Sequence, residues 1–191
     1  KSIVRYLHAT REQGTIFRPT LELTLDLYVD ADFCSLLDSE DSRNPVSARS
    51  RTGFIILLAG CPLLWKSQLQ THISLSTLES EYSALSTALK TLLPIKRMLQ
   101  ELMSALDVPN DLQSTIRARA FEDNQGALLL AQNHRLTNRT RYFHTRWHWF
   151  WEHQSEFEFM KVSTDRQLAD YLTKGLAKDS FESIRRQCQG W

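Results

Sequence analysis

The sequence predicts an α/β fold, a mixed five-stranded sheet flanked by helices, and three observations predict it. Three strand-like segments follow one another across short turns, the pattern of an antiparallel meander. A long stretch of helical periodicity then starts near Ser76. After it, strand-like and helical segments alternate, as in the parallel part of such a sheet.

The first strand covers residues 21–32, LELTLDLYVDAD. Leu21, Leu23, Leu25, Leu27 and Val29 alternate with Glu22, Thr24, Asp26 and Tyr28, the period of two of a half-buried strand. It ends on Asp30 and Asp32, whose spacing points both to one face. A buried carboxylate without a partner is costly, so something cationic is expected there. Residues 35–50, polar and holding Asn44-Pro45, read as a long exposed loop. The apolar run 52–59 (TGFIILLA) reads as a central strand. Gly60-Cys61-Pro62 turns it into 63–66, and 71–75 is a candidate further strand edge.

Ser76 or Thr77 can cap the long helix, with Glu79 completing a capping box. Tyr82, Leu85, Leu89, Leu92 and Leu93 form its apolar stripe, and Pro94 is expected to kink it rather than end it before about Leu106. Residues 107–111 read as loop, 115–121 as strand, and Asp123-Asn124-Gln125 as the start of a helix through 127–131. After a loop at 133–140, Phe143, Trp147, Phe150 and Trp151 recur at helical spacing. The alternating segment 156–162 is a last strand. Thr164 or Asp165 caps a final helix through Leu168, Tyr171, Leu172 and Leu176, extended over 181–187. At the other end, Ile3, Val4, Leu7 and His8 predict a helix over 1–13, closed by Gly14.

At 191 residues the chain suits one α/β domain with room for an appendage, and its opening on Lys1 suggests a piece of something longer. The net charge of +1 argues against a globally basic nucleic-acid binder but leaves local patches open. Cys34, Cys61 and Cys188 form no C-x-x-C, which reads as reduced thiols of an intracellular protein rather than a disulfide framework or zinc site. No apolar run approaches the ~18 residues of a membrane span, and no signal-peptide core is present.

In mixed sheets, sites gather at the carboxyl ends of parallel strands. Asp30 and Asp123 each follow such an end; Glu81 stands early in the long helix and Asp170 early in the last one. Each alone has a structural reading, at a helix first turn or in a strand-end turn. Together they describe a carboxylate cluster for hard divalent cations. Glu79 competes with Glu81. Counting from Glu81, the stripe of Tyr82, Leu85 and Leu89 faces a core, with Ala84 and Ala88 permitting close approach; counting from Glu79, the matching positions are Ser80, Ser83 and Thr87. Glu81 is therefore the site residue and Glu79 the capping residue. Asp32 either assists or is exposed, the latter being favoured.

Six blocks stand in order over about residues 23–176: YVDADF at 28–33, SRTGFI at 50–55, LSTLESEYSAL at 75–85, EDNQGAL at 122–128, NRTRYFHTRWHW at 138–149 and QLADYLTKGL at 167–176. They resemble the ribonuclease H fold, and more narrowly the RNase H domain of Ty1/copia-type retrotransposon Gag-Pol polyproteins. The resemblance implies that Asp30, Glu81, Asp123 and Asp170 are the catalytic and metal-binding carboxylates. It implies two Mg²⁺ ions, replaceable by Mn²⁺, about 4 Å apart and bridged by carboxylates and the scissile phosphate. The implied reaction is hydrolysis of the RNA strand of RNA–DNA hybrids during reverse transcription, leaving a 3′-hydroxyl and a 5′-phosphate. Asn124 and Gln125 are candidate readers of the 2′-hydroxyl, or equally helix-capping residues. Arg139 and Arg141 lead an Arg-rich group with Arg135 and Arg146, and with Arg49, Arg51 and Lys66 they are candidate phosphate contacts.

The resemblance further assigns residues 1–20 to the tail of a reverse transcriptase connection and 21–191 to the RNase H-like domain. The implied partner is the upstream reverse transcriptase of the same polyprotein, with no membrane, in a cytoplasmic virus-like particle. Three departures stand out. Many RNases H carry a mobile His before the last helix, and residues 162–165 have none. Tyr142 and His144 replace a His and an Asp of the copia-type pattern, leaving His144 and His148 as minor candidates. One basic residue fewer follows Trp65 in Lys66-Ser67-Gln68-Leu69-Gln70. One rival is a catalytically inactive relic serving as a tether or interaction module, against which the four intact carboxylates argue. Another is a structure-selective nuclease or integrase-like DNA transferase on the same fold, for which a different order of elements is expected.

Overall fold

The computed structural model describes residues 2–34, 44–109, 116–133, 137–138, 140–143 and 145–191. Its centre is strand β1 (Thr24–Asp32), flanked antiparallel by β2 (Arg51–Leu58) and parallel by β4 (Arg117–Glu122). With β3 (Cys61–Leu69) and β5 (Glu158–Lys161) at the edges, the order is β3-β2-β1-β4-β5. This is the mixed sheet expected, antiparallel in its first half and parallel in its second.

β1 starts at Thr24 rather than at residue 21, and Leu21 is fully exposed. The strand is buried on both faces, not half-buried. Leu25, Leu27 and Val29 face one core, shared with helix α2 (Thr77–Ala105), helix α3 (Gln125–Asn133) and the aromatic segment around Trp147 and Phe150. Tyr28 faces a smaller core on the other side, with Ile55, Leu57, Leu168, Ile184 and Cys188. The polar residues of that face are paired: the Arg119 guanidinium grips both oxygens of Asp26 at 2.6 Å. Between β2 and β3 the chain reverses through Ala59 and Gly60, both in the left-handed region (φ 49° and 80°), as a two-residue hairpin turn requires. β3 continues to Leu69, and residues 71–75 form no strand.

α2 runs unbroken through Pro94. Its N-terminus follows the capping prediction closely: Ser76 Oγ accepts from Glu79 N–H at 3.1 Å, and Glu79 Oε2 reaches back to Leu75 N–H at 2.7 Å. Ala84 and Ala88, without exposed surface, bring the helix close to the sheet.

Two helical predictions are corrected. The aromatic segment is not an α-helix but two 3-10 turns, Thr145–Trp147 and Trp149–Glu156, broken at His153. A straight α-helix cannot bury Trp147, Trp149 and Trp151 on one narrow face. The tighter turns bury Trp147 and partly bury the other two, and Trp149 Nε1 donates to Ser86 Oγ at 3.1 Å. The predicted final helix is three pieces: a 3-10 turn at Thr164–Arg166, the one-turn α4 (Asp170–Thr173) and α5 (Lys178–Gln189). The first helix, α1 (Ser2–Ala9), is shorter than predicted. It is exposed and touches the rest through the Tyr6–Phe181 ring contact, while Ile16 N–H donates to Gln189 O at 2.9 Å. The predicted loop at 35–50 lies outside the described residues up to 43, as does 110–111 of the 107–111 loop.

Candidate metal centre

Four carboxylates meet at the carboxyl ends of β1 and β4. Asp30 (1% exposed) lies on the α4 face of β1, opposite Gly53 of β2. Asp123 follows β4 directly, and Asp170 opens α4. Asp30, Asp123 and Asp170 each offer an oxygen within 4.8 Å of the other two. Glu81 approaches from the α2 face and is buried; its Oε2 accepts the Ala31 N–H at 2.7 Å, so it reaches the same sheet end from the opposite side. The other glutamate of the pair, Glu79, stays at the helix cap. Asp32 lies half-buried at the end of β1.

The chain supplies a brace for each acid. Thr173 Oγ1 donates to Asp30 Oδ2. Thr164 Oγ1 donates to Asp123 Oδ2 at 3.0 Å, and Lys161 Nζ to the Asp123 carbonyl. The wholly buried Gln167 donates to Val29 O at 2.9 Å, tying the segment before Asp170 to β1. Buried Gln70 joins the start of α2 to β2, donating to Ser80 O at 3.0 Å and Thr52 Oγ1 at 3.1 Å.

The cation expected at Asp30 is Lys174. Its ammonium lies 2.9 Å from Asp30 Oδ1 and 3.0 Å from Asp170 Oδ1. Burial works against that charge, but the hydrogen bonds and charges of Asp30 and Asp170 outweigh it and hold the Lys174 pKa above its ordinary value. Asp170 is raised, by burial first and then by Asp30, with Lys174 opposing. Glu81 is pushed up to about 10, chiefly by burial and then by the charges of Glu122, Asp30 and Asp123. Burial and mutual repulsion therefore disfavour the charged forms of these carboxyls, and a further cation would favour them.

Sequence reasoning missed Glu122 as well as Lys174. Glu122 is the fully buried last residue of β4, and burial raises its pKa well above the carboxylate range. Its Oε1 accepts the Asn124 N–H at 2.9 Å. An oxygen of Glu122, one of Glu81 and one of Asp123 lie within 4.8 Å of one another. The signal was present in strand parity: Ala118, Ala120 and Glu122 share one face, and that face is the core.

Of the candidate nucleic-acid contacts, Asn124 is a capping residue, its Oδ1 accepting the N–H groups of Gly126 (2.9 Å) and Ala127 (3.0 Å). Gln125 is exposed beside Asp123. Arg141 is exposed and stacks on Tyr142 at 4.7 Å. Arg139, Arg135 and His144 lie outside the described residues. Arg146, over the Trp147 ring, lines a cleft of about 250 Å³ with Lys90, Gln68, Gln70 and Thr87. His148 is packed among Tyr82 and Trp151, with Nδ1 2.9 Å from Tyr82 Oη, and burial lowers its pKa.

No protein-family model matches the chain. It is 31% identical over 184 residues to the retrovirus-related Pol polyprotein from transposon TNT 1-94 of Nicotiana tabacum, covering 95% of this chain and 12% of that protein. It is 30% identical over 190 residues to the retrovirus-related Pol polyprotein from transposon RE2 of Arabidopsis thaliana, covering 98% of this chain and 12% of that protein. Among solved structures it is similar to the N-terminal RNase H domain of a Mycobacterium tuberculosis protein, with TM-score 0.47, 10% identity, and coverage of 86% of this chain and 97% of that one. The chain thus spans about 12% of the length of the polyproteins it matches. Along nearly its whole length, its homologues are Ty1/copia-type retrovirus-related Pol polyproteins.

Proposed function

We propose that the chain is the ribonuclease H of such a polyprotein, a metal-dependent endonuclease hydrolysing the RNA strand of RNA–DNA hybrids during reverse transcription. The observation that carries this reading is the meeting of Asp30, Asp123 and Asp170, from three elements far apart in sequence, with oxygens within 4.8 Å. Glu81 completes the group from the other face of the sheet. An all-carboxylate donor set suits hard divalent cations such as Mg²⁺ or Mn²⁺. The residues fit such ions: Lys174 already places a positive charge between Asp30 and Asp170, and Glu81, Glu122 and Asp123 each offer an oxygen within 4.8 Å of the other two. Bound there, the ions would supply water activation and charge stabilisation at the scissile phosphate and leaving oxygen.

The rest is the work of the chain. The Ala31 N–H, Thr173 and Thr164 hold Glu81, Asp30 and Asp123 in fixed orientations, so little reorganisation is needed when charge develops. Lys174 keeps Asp30 and Asp170 together when no metal is bound. Gln125, exposed two residues after Asp123, is the residue assigned to a 2′-hydroxyl in the wide minor groove of a hybrid. Arg141, Arg146 and Lys90 offer phosphate contacts, and Arg139 belongs with them by sequence. Residues 1–20 then belong to the connection from an upstream reverse transcriptase, 21–191 to the nuclease domain, and the place of action is a cytoplasmic virus-like particle. The intact carboxylates disfavour an inactive tether.

The test is cleavage of a labelled hybrid in Mg²⁺ or Mn²⁺ by the wild type, Asp30→Asn and Asp170→Asn. RNA fragments with 3′-hydroxyl ends should form, and each variant should lose about a thousandfold in rate, equivalent to about 4 kcal/mol of transition-state stabilisation. A wild type that cuts nothing, even when joined to its reverse transcriptase, would favour the tether.

A further inference from the structure

Glu122 ends β4 in phase with Ala118 and Ala120, so its side chain enters the α2 side of the sheet, where it meets Glu81. One of its oxygens has an evident use, receiving the Asn124 N–H. The other, Oε2, is fully buried and has no hydrogen-bond partner among the described residues. Buried carboxylate oxygens are ordinarily partnered, and an orphan calls for an explanation. A side chain needed only to accept the Asn124 N–H would be served by glutamine. The nearby ammonium groups are engaged elsewhere: Lys174 with Asp30 and Asp170, Lys161 with the Asp123 carbonyl.

We propose that Glu122 is a fifth carboxylate of the centre, forming with Glu81 and Asp123 a seat for a hard divalent cation. Asp123 is common to this seat and to the Asp30–Asp123–Asp170 group, so two cation seats sit side by side with one shared acid. The inference rests on the metal-ion reading of the proposed function. It adds a ligand outside the four carboxylates that the resemblance supplies. Three carboxylates within 4.8 Å repel one another strongly in a buried setting, and a divalent ion is the ligand chemistry that relieves this with oxygen donors alone.

The experiment is a calorimetric Mn²⁺ titration of the full chain, wild type beside Glu122→Gln, with melting temperatures recorded with and without Mn²⁺. The amide keeps the shape and the Asn124 hydrogen bond and removes only the ability to ionise and bind a cation as a carboxylate. Glu122→Gln should melt at or above the wild type without metal. It should bind Mn²⁺ about tenfold more weakly, or bind one ion fewer, with a smaller Mn²⁺-induced rise in melting temperature. Equal Mn²⁺ binding by the two proteins would overturn the fifth-ligand assignment alone. A wild type that binds no Mn²⁺ would overturn both this assignment and the metal-dependent reading. If the variant does not fold, anomalous scattering from Mn²⁺-soaked wild-type crystals decides: a peak is expected within about 2.2 Å of Glu122 Oε2. Peaks held only by other acids would overturn the assignment.

Discussion

Glu81 and Glu122 each offer an oxygen within 4.8 Å of the other at the sheet end, and their burial there bears on stability. In the unfolded chain each titrates near its ordinary value; in the folded, metal-free protein both are raised, Glu81 to about 10. The folded state therefore binds more protons over the interval between, and stability falls as pH rises through it. Metal-free protein should lose stability as pH rises from about 6 to 9, where Glu81 still holds its proton in the folded chain and has lost it in the unfolded one. Glu81→Gln should flatten that slope in urea melts at several pH values, and saturating Mn²⁺ should flatten it too. A flat wild-type profile would contradict the assignment of these burial-raised carboxyls. Which of Glu79 and Glu81 turns towards the sheet was legible in the sequence, because a core stripe has only one phase that places Tyr82, Leu85 and Leu89 inside. Lys174 was not, because its partners Asp30 and Asp170 lie 144 and 4 residues away and meet only through topology.

At the scale of elements, long periodic segments were readable and short irregular ones were not. α2 declares itself through its cap and stripe, and β2 through its apolar run. The turns at Thr145–Trp147 and Trp149–Glu156 imitate a helix in spacing, because aromatic bulk rather than backbone regularity selects those residues. Helix α4 is only one turn long, and neighbours hold it: Ser67 Oγ donates to Leu172 O at 2.6 Å, and Gln167 anchors its approach. Gly53 matters most here. A Cβ added to it would lie 2.6 Å from Thr173 Cγ2 and 2.9 Å from Leu172 Cβ, so Ala in its place would push α4 off the sheet. Gly→Ala ordinarily gains about 0.4–1 kcal/mol through the unfolded chain, but overpacking of this kind costs about 1–3 kcal/mol. Gly53→Ala should therefore lower the melting temperature, and it should weaken Mn²⁺ binding about tenfold by displacing Asp170, although no carboxylate residue is replaced. Unchanged Mn²⁺ affinity would show that α4 does not set the position of Asp170.

The whole molecule is one sheet whose central strand is covered on both faces, and the acids arrive from both covers. Asp170 comes with α4 from one side and Glu81 with α2 from the other, meeting Asp30 and Asp123 where β1 and β4 end. That convergence follows from the order of elements, which the alternation of periods two and 3.6 makes readable. The braces that fix it, Gln70, Thr164, Gln167 and Thr173, are ordinary polar residues in sequence, and they become distinctive only once folded. The central claim is that this convergence is a nuclease centre with Glu81, not Glu79, as its helical acid. The most direct measurement is cleavage of a hybrid labelled separately on each strand, by the wild type, Glu81→Gln and Glu79→Gln in Mg²⁺. Cuts are expected in the RNA strand alone, lost in Glu81→Gln and retained in Glu79→Gln, whose amide oxygen still accepts the Leu75 N–H and keeps the cap. An inactive Glu79→Gln beside an active Glu81→Gln, or cuts in the DNA strand, would contradict the central claim.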